Sequence, residues 1–175
     1  MASTKWVIDP THSEITFKVK HLMISTVTGN FKIFEGTVET ETEEFSKVKN
    51  LEFKAEVKSV NTNNEDRDNH LRSDDFFASE QHPEIRFTAK NFNVETGEIK
   101  GDLTIRNTTK PVTLDVDFGG VVVDPYGQTK AGITVNGKIS RKEFGLVWNS
   151  VTEAGNVVMG DQIRLIAEVQ FIKQA

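Results

Sequence analysis

His12-Ser13 places a base beside a hydroxyl, the two residue types that nucleophilic catalysis pairs. Neighbouring strand residues point to opposite faces, and no nucleophile-elbow pattern surrounds Ser13, so the dipeptide reads as a loop hydrogen bond. Asp74-Asp75 offers two carboxylates, but neighbours on a turn diverge and cannot face each other for acid–base work. The four histidines show neither HExxH nor another short ligand spacing, and the chain has no cysteine. No metal site, thiolate nucleophile, disulfide framework or cofactor is therefore expected. Arg67 and His70, three apart, suit either an anionic headgroup or a structural ion pair with nearby carboxylates. Phe76, Phe77, Phe144 and Trp148 fall where the strand pattern breaks, and there they line or plug a mouth. No constellation demands catalysis.

Most of these residues lie in Ser59–Phe87, the one long interruption of a two-residue alternation of apolar and polar side chains. Thr62 followed by Glu65 fits a capping box, with acidic Glu65, Asp66 and Asp68 early and Arg72 late, as the helix dipole prefers. Asp68 and Arg72 share a helix face and can pair. A second turn from Ser73 delivers Phe76 and Phe77, and Pro83 stops any helix before the next strand. The segment reads as a helical flap between two strands.

The strands themselves position the rest. Trp6 to Asp9 is a short one, ended at Asp9-Pro10. Ile15, Phe17, Val19, His21 and Met23 share a face, which puts His21 on the apolar side. Phe31 to Thr40 slips in parity between Ile33 and Phe34, as a bulge would cause. Leu51, Phe53, Ala55 and Val57 alternate without fault, as do Ile85, Phe87 and Ala89. So do Gly101, Leu103 and Ile105; Val112, Leu114, Val116 and Phe118; Ile133, Val135, Gly137 and Ile139; and Ile163 to Phe171. About eight strands with one apolar face each and short connections predict a closed up-and-down antiparallel barrel, which leaves no exposed edge. Ala55, Ala89, Gly101, Gly137 and Ala167 on the inner face either leave room for a ligand or fit the taper.

One domain over residues 1–175 is expected, long enough to bury a core without staples. A net charge of −5 from interleaved lysines and glutamates argues against nucleic acid as partner. The outer faces suit either a monomer or a homodimer. The only apolar run near the N-terminus is Trp6-Val7-Ile8, so neither a signal peptide nor a transmembrane segment is read, and a cytoplasmic location is expected.

The stretches WVIDPTHSEITFKVKHL, NTNNEDRDNHLRSDDFF, HPEIRF, GDLTIRNTTKPVTLDV and SRKEFGL, spread over nearly the whole chain, resemble the YceI-like family of bacterial lipid-binding proteins. Arg67 to Phe77 fits its central R-D-x-H-L-[RK]-S-x-D-F-F, and Asp9-x-x-His12-Ser13 fits its opening. Where many relatives have a glycine before the Thr-Lys-Pro turn, this chain has Asn107, which tolerates a left-handed backbone. The resemblance implies a lipocalin-like barrel with a helical flap, whose tunnel takes up a polyisoprenoid such as an isoprenoid quinone or prenyl phosphate. It implies binding or transport rather than catalysis.

The residues are compatible with that mechanism, because an apolar chain needs a dry tunnel of hydrocarbon side chains with its headgroup left at the mouth. The expected wall is Ile15, Phe17, Val19, Phe53, Val57, Phe87, Leu103, Leu114, Val116, Ile133 and Val135. Phe76, Phe77, Phe144 and Trp148 are expected at the opening, and His21, Arg67 and His70 near the headgroup. Two alternatives stay open: stress-linked sequestration of varied lipophilic compounds, and a lipid-modifying enzyme using His21 or His70 as acid or base.

Overall fold

The computed structural model describes residues 3–22, 24–148 and 159–174; Met23 lies outside the described residues. Among the described residues eleven strand segments and one α-helix run in the order β1 (Thr4–Ile8), β2 (Glu14–His21), β3 (Ser25–Phe31), β4 (Phe34–Thr40), β5 (Lys47–Glu56), β6 (Val60–Asn61), α1 (Glu65–Arg72), β7 (Glu84–Asn93), β8 (Glu98–Ile105), β9 (Thr108–Val123), β10 (Thr129–Ser140) and β11 (Met159–Lys173). Three pairs of segments are broken strands. β1 and β2 both lie against β11, with Ile8 opposite Phe171 and Ile15 opposite Ala167. β3 and β4 continue each other beside β5 and β6, with Phe31 opposite Val60 and Phe34 opposite Ala55. Each strand pairs antiparallel with its sequence neighbour, and β1 and β2 on β11 close the ring. The result is the expected eight-stranded up-and-down barrel with one short helix.

The first two breaks have local causes. Asp9 caps a 3-10 turn at Pro10–His12: its Oδ1 accepts from Thr11 N (3.2 Å) and Thr11 Oγ1 (2.8 Å). Its Oδ2 meets His12 Nδ1 (2.7 Å) and Lys130 Nζ (2.9 Å), tying the turn to β10. Ser13 Oγ accepts from Gln170 N (3.0 Å), so its hydroxyl serves a loop hydrogen bond. The second break falls at Lys32-Ile33, one residue before the expected slip, and interrupts the strand rather than bulging it, with Ile33 turned out to solvent. At the β8–β9 turn the left-handed residue is Arg106 (φ 56°), not Asn107.

The core is filled in two clusters. The larger includes Trp6, Val38, Phe45, Ile99, Phe144 and Phe171; the smaller joins Phe17, Phe31, Ala55 and Val60 to Leu71 and Phe76 of the flap. The small inward residues do two different jobs. At Gly101 an added Cβ would stand 2.7 Å from the Phe87 ring, and at Gly137 it would overlap Leu114, so both glycines receive a neighbour's side chain. Ala55 and Ala167 instead border open space.

Candidate functional site

Between the clusters a cavity of about 140 Å³ runs along the barrel. Near the flap its wall is Phe17, Phe31, Ala55, Ile85 and Ile105, and at the far end Ile8, Leu51, Ile99 and Phe171. Thr16 and Glu52 border it only from strand positions whose parity turns them outward. The side chains that face it are thus hydrocarbon, and water, which needs polar partners, gains nothing by entering.

Of the residues expected in the wall, Ile15, Phe17, Phe53, Phe87, Leu103, Leu114, Ile133 and Val135 line the cavity. Val19, Val57 and Val116 are buried but do not border it. Val57 starts the 3-10 turn after β5, so the strand's parity ends before it. Leu51 and Ile105 line it as well, on the same parity as Phe53 and Leu103, and so do Leu165 and Phe171 of β11, a strand from which no wall residue was expected.

The flap closes one end. Asn64, not Thr62, caps α1, its Oδ1 accepting from Arg67 N (3.0 Å). Thr62 is drawn away by Asp68, whose buried Oδ1 accepts from Thr62 N (2.8 Å) and Thr62 Oγ1 (2.6 Å). The expected Asp68–Arg72 pair is therefore replaced: Arg72 donates to Lys58 O (3.0 Å), Val60 O (3.1 Å) and Asn69 Oδ1 (2.9 Å). Arg67 donates Nε to Thr62 Oγ1 (2.7 Å) and Nη2 to Thr62 O (2.6 Å). Its guanidinium fastens the flap to the end of β6 rather than pairing with a carboxylate.

Beyond α1 a ladder of rings covers the tunnel. Phe17 meets Phe31 (5.5 Å), Phe31 meets Phe77 (6.0 Å), and Phe76 meets Trp148 (5.3 Å). His70 stands edge-on to Trp148 (4.6 Å) and Phe76 (5.0 Å), with Nε2 2.8 Å from Asp75 Oδ2. The structure thus gathers His70, Phe76, Phe77 and Trp148 at the flap end. It leaves out Phe144, which is 1% exposed and packed inside the larger cluster. It also leaves out His21, exposed at the end of β2 where the apolar face has run past the barrel rim.

Arg141 had no expected role. It is 1% exposed, and donates Nε to Gly160 O (2.8 Å), Nη1 to Leu146 O and Trp148 O (both 2.7 Å), and Nη2 to Met159 O (3.2 Å). Burial pushes its pKa down, against the pull of nearby Asp161. A single buried cation thereby fixes the backbone on both sides of 149–158 and seats Trp148. Its spacing from those carbonyls crosses a turn, so no strand or helix period announces it. Among the described residues no cluster of three or more His, Cys, Asp or Glu could hold a metal ion, and no helix is long and apolar enough to cross a membrane.

The family model for the YceI-like domain matches residues 6–171. The chain belongs to the YceI-like family. A UPF0312 protein of Staphylococcus epidermidis is 39% identical over 171 residues, which cover 96% of this chain and 97% of that protein. The crystal structure of a Campylobacter jejuni YceI protein superposes with a TM-score of 0.73 at 34% identity, covering 89% of this chain and 90% of that one. A polyisoprenoid-binding domain from Saccharophagus degradans, at 14% identity, shares the fold, with a TM-score of 0.71 over 97% of this chain and 98% of its own.

Proposed function

We propose that this protein binds, and so carries or stores, a polyisoprenoid or isoprenoid-quinone lipid, chain in the barrel and headgroup at the flap. The observation that carries the reading is the cavity itself, walled by hydrocarbon along the barrel and roofed by Phe76 and Phe77 from the segment after α1 and Trp148 from the loop after β10. An isoprenoid chain has no hydrogen-bonding group, so a dry wall leaves none unsatisfied, and binding is driven by apolar burial at ~25 cal/mol per Å². The fold shared with the Saccharophagus degradans domain supports the choice of ligand class. His70 and Asp75 are the polar groups at the roof within reach of a headgroup, while Arg67 is engaged with Thr62. These groups pair with one another outside the cavity, which favours a binder over a lipid-modifying enzyme.

The test is native mass spectrometry of freshly purified protein, with extraction and identification of what is released, on the parent and on Ala55→Phe. Ala55 is 1% exposed and borders the cavity, so a ring there fills the tunnel from its wall. The parent should carry one isoprenoid per chain and Ala55→Phe, still folded, almost none. Equal occupancy in both would remove the tunnel reading. A scatter of unrelated lipophiles in the parent would move the assignment to general sequestration.

A further inference from the structure

We infer that Phe45 is the floor of the tunnel and sets the longest chain it accepts, an inference that rests on the lipid-binding reading above. Phe45 sits in the connection between β4 and β5, where Glu41, Glu43 and Glu44 are exposed and Phe45 alone is buried, at 2% exposure. Its ring leaves this acidic loop and enters the barrel end, edge-on to Trp6 (5.0 Å) and stacked on Phe171 (5.5 Å) and Phe118 (5.9 Å). Phe171 borders the cavity and Phe45 does not, so Phe45 lies one ring beyond the last lining residue. A chain entering past the flap meets Phe171 with Phe45 behind it.

The other rings of this floor belong to strands and are held by the ladder. Trp6 is further locked by donating Nε1 to Thr40 Oγ1 (3.1 Å), and both residues are fully buried. Phe45 is different, because its loop is fastened through backbone groups that do not involve its ring. Glu41 N donates to Lys47 O (3.0 Å), Ser46 N to Glu44 O (3.0 Å), and Val94 N to Ser46 O (3.1 Å). Removing the ring therefore leaves the loop attached and opens space directly behind Phe171, which can swing into it. At the flap end, by contrast, the roof must move for any ligand to enter, so it cannot measure length. The specificity element is one side chain lent by a loop to the closed end of the barrel.

In apolar pockets a surplus carbon is rejected by roughly 10-fold or more, so a chain-length limit is measurable as a sharp loss of affinity. The experiment offers a series of polyprenyl alcohols increasing by one isoprene unit to the parent, Phe45→Ala and Phe45→Leu, read by native mass spectrometry and competition. Phe45→Ala should raise the longest accepted alcohol by about one unit, binding it at least ~10-fold tighter than the parent does, with Phe45→Leu between. Shorter alcohols should bind all three alike. An unchanged limit in folded Phe45→Ala overturns the floor assignment and leaves the lipid-binding reading standing; should that variant not fold, Phe45→Leu decides by the same criterion. A parent that binds no member of the series overturns both.

Discussion

Asp9 belongs to one of the stretches that carry the family likeness, yet its neighbours give it a structural task. Burial raises its pKa, but donors on Lys130, His12 and Thr11 outweigh that and hold the carboxyl below the usual carboxylate range. Lys130 is pushed up, chiefly by its hydrogen bond to Asp9 and against burial. The stabilisation from Asp9 is therefore complete above its unfolded pKa of about 4 and is lost as pH falls toward the folded value. The Lys130 contribution is complete below its unfolded pKa of about 10.4 and fades only at higher pH. Asp9→Asn should lower the urea midpoint at pH 7 and flatten its dependence between pH 5 and 2; a parallel acid decline in the variant would assign that decline to other carboxylates. Residue by residue, the wall was legible because a strand turns every second side chain inward, which is why Phe17, Phe87 and Leu103 could be named. Phe45 and Arg141 were not, since both act from turns, where parity says nothing about direction.

At the scale of elements, the flap was legible in kind but not in its fastening. Thr62 and Asn64 are both good caps by type, and the Thr62–Glu65 spacing favoured the first. The tertiary demand decided otherwise, because Asp68 is buried and takes both Thr62 donors, leaving Asn64 to cap. The break between β3 and β4 was legible for the opposite reason: a parity slip is written in the sequence itself. Since Asp68 ties α1 to the end of β6, Asp68→Ala leaves two donors of Thr62 without their acceptor, at a cost of ~1–3 kcal/mol. That cost falls on the flap, so amide exchange across Glu65–Arg72 should accelerate roughly 10- to 100-fold while the β10–β11 ladder keeps its protection. Asp68→Asn, which retains an acceptor oxygen, should lie nearer the parent. Equal acceleration in flap and ladder would mean that the flap has no stability of its own and that opening it unfolds the barrel.

The whole molecule combines a closed sheet with a cavity walled by hydrocarbon. At ~24 cal/mol per Å³, a cavity of 140 Å³ would cost about 3 kcal/mol whenever nothing occupied it, a large share of an ordinary stability margin. Closure lets the barrel carry that cost, because there is no edge along which the wall can collapse inward. A ligand that fills the void should stabilise the fold by mass action, by about 2.7 kcal/mol at a free concentration 100 times its dissociation constant. For a chain of this length that is an increase of about 5–10 °C in Tm. The wall fixes which half of the ligand supplies it: a polyprenyl hydrocarbon without headgroup should give most of the increase in a thermal melt, and a soluble headgroup analogue almost none. The reverse result would place the binding energy at His70 and Asp75 on the roof, and the tunnel would then be a packing defect rather than the seat of the ligand.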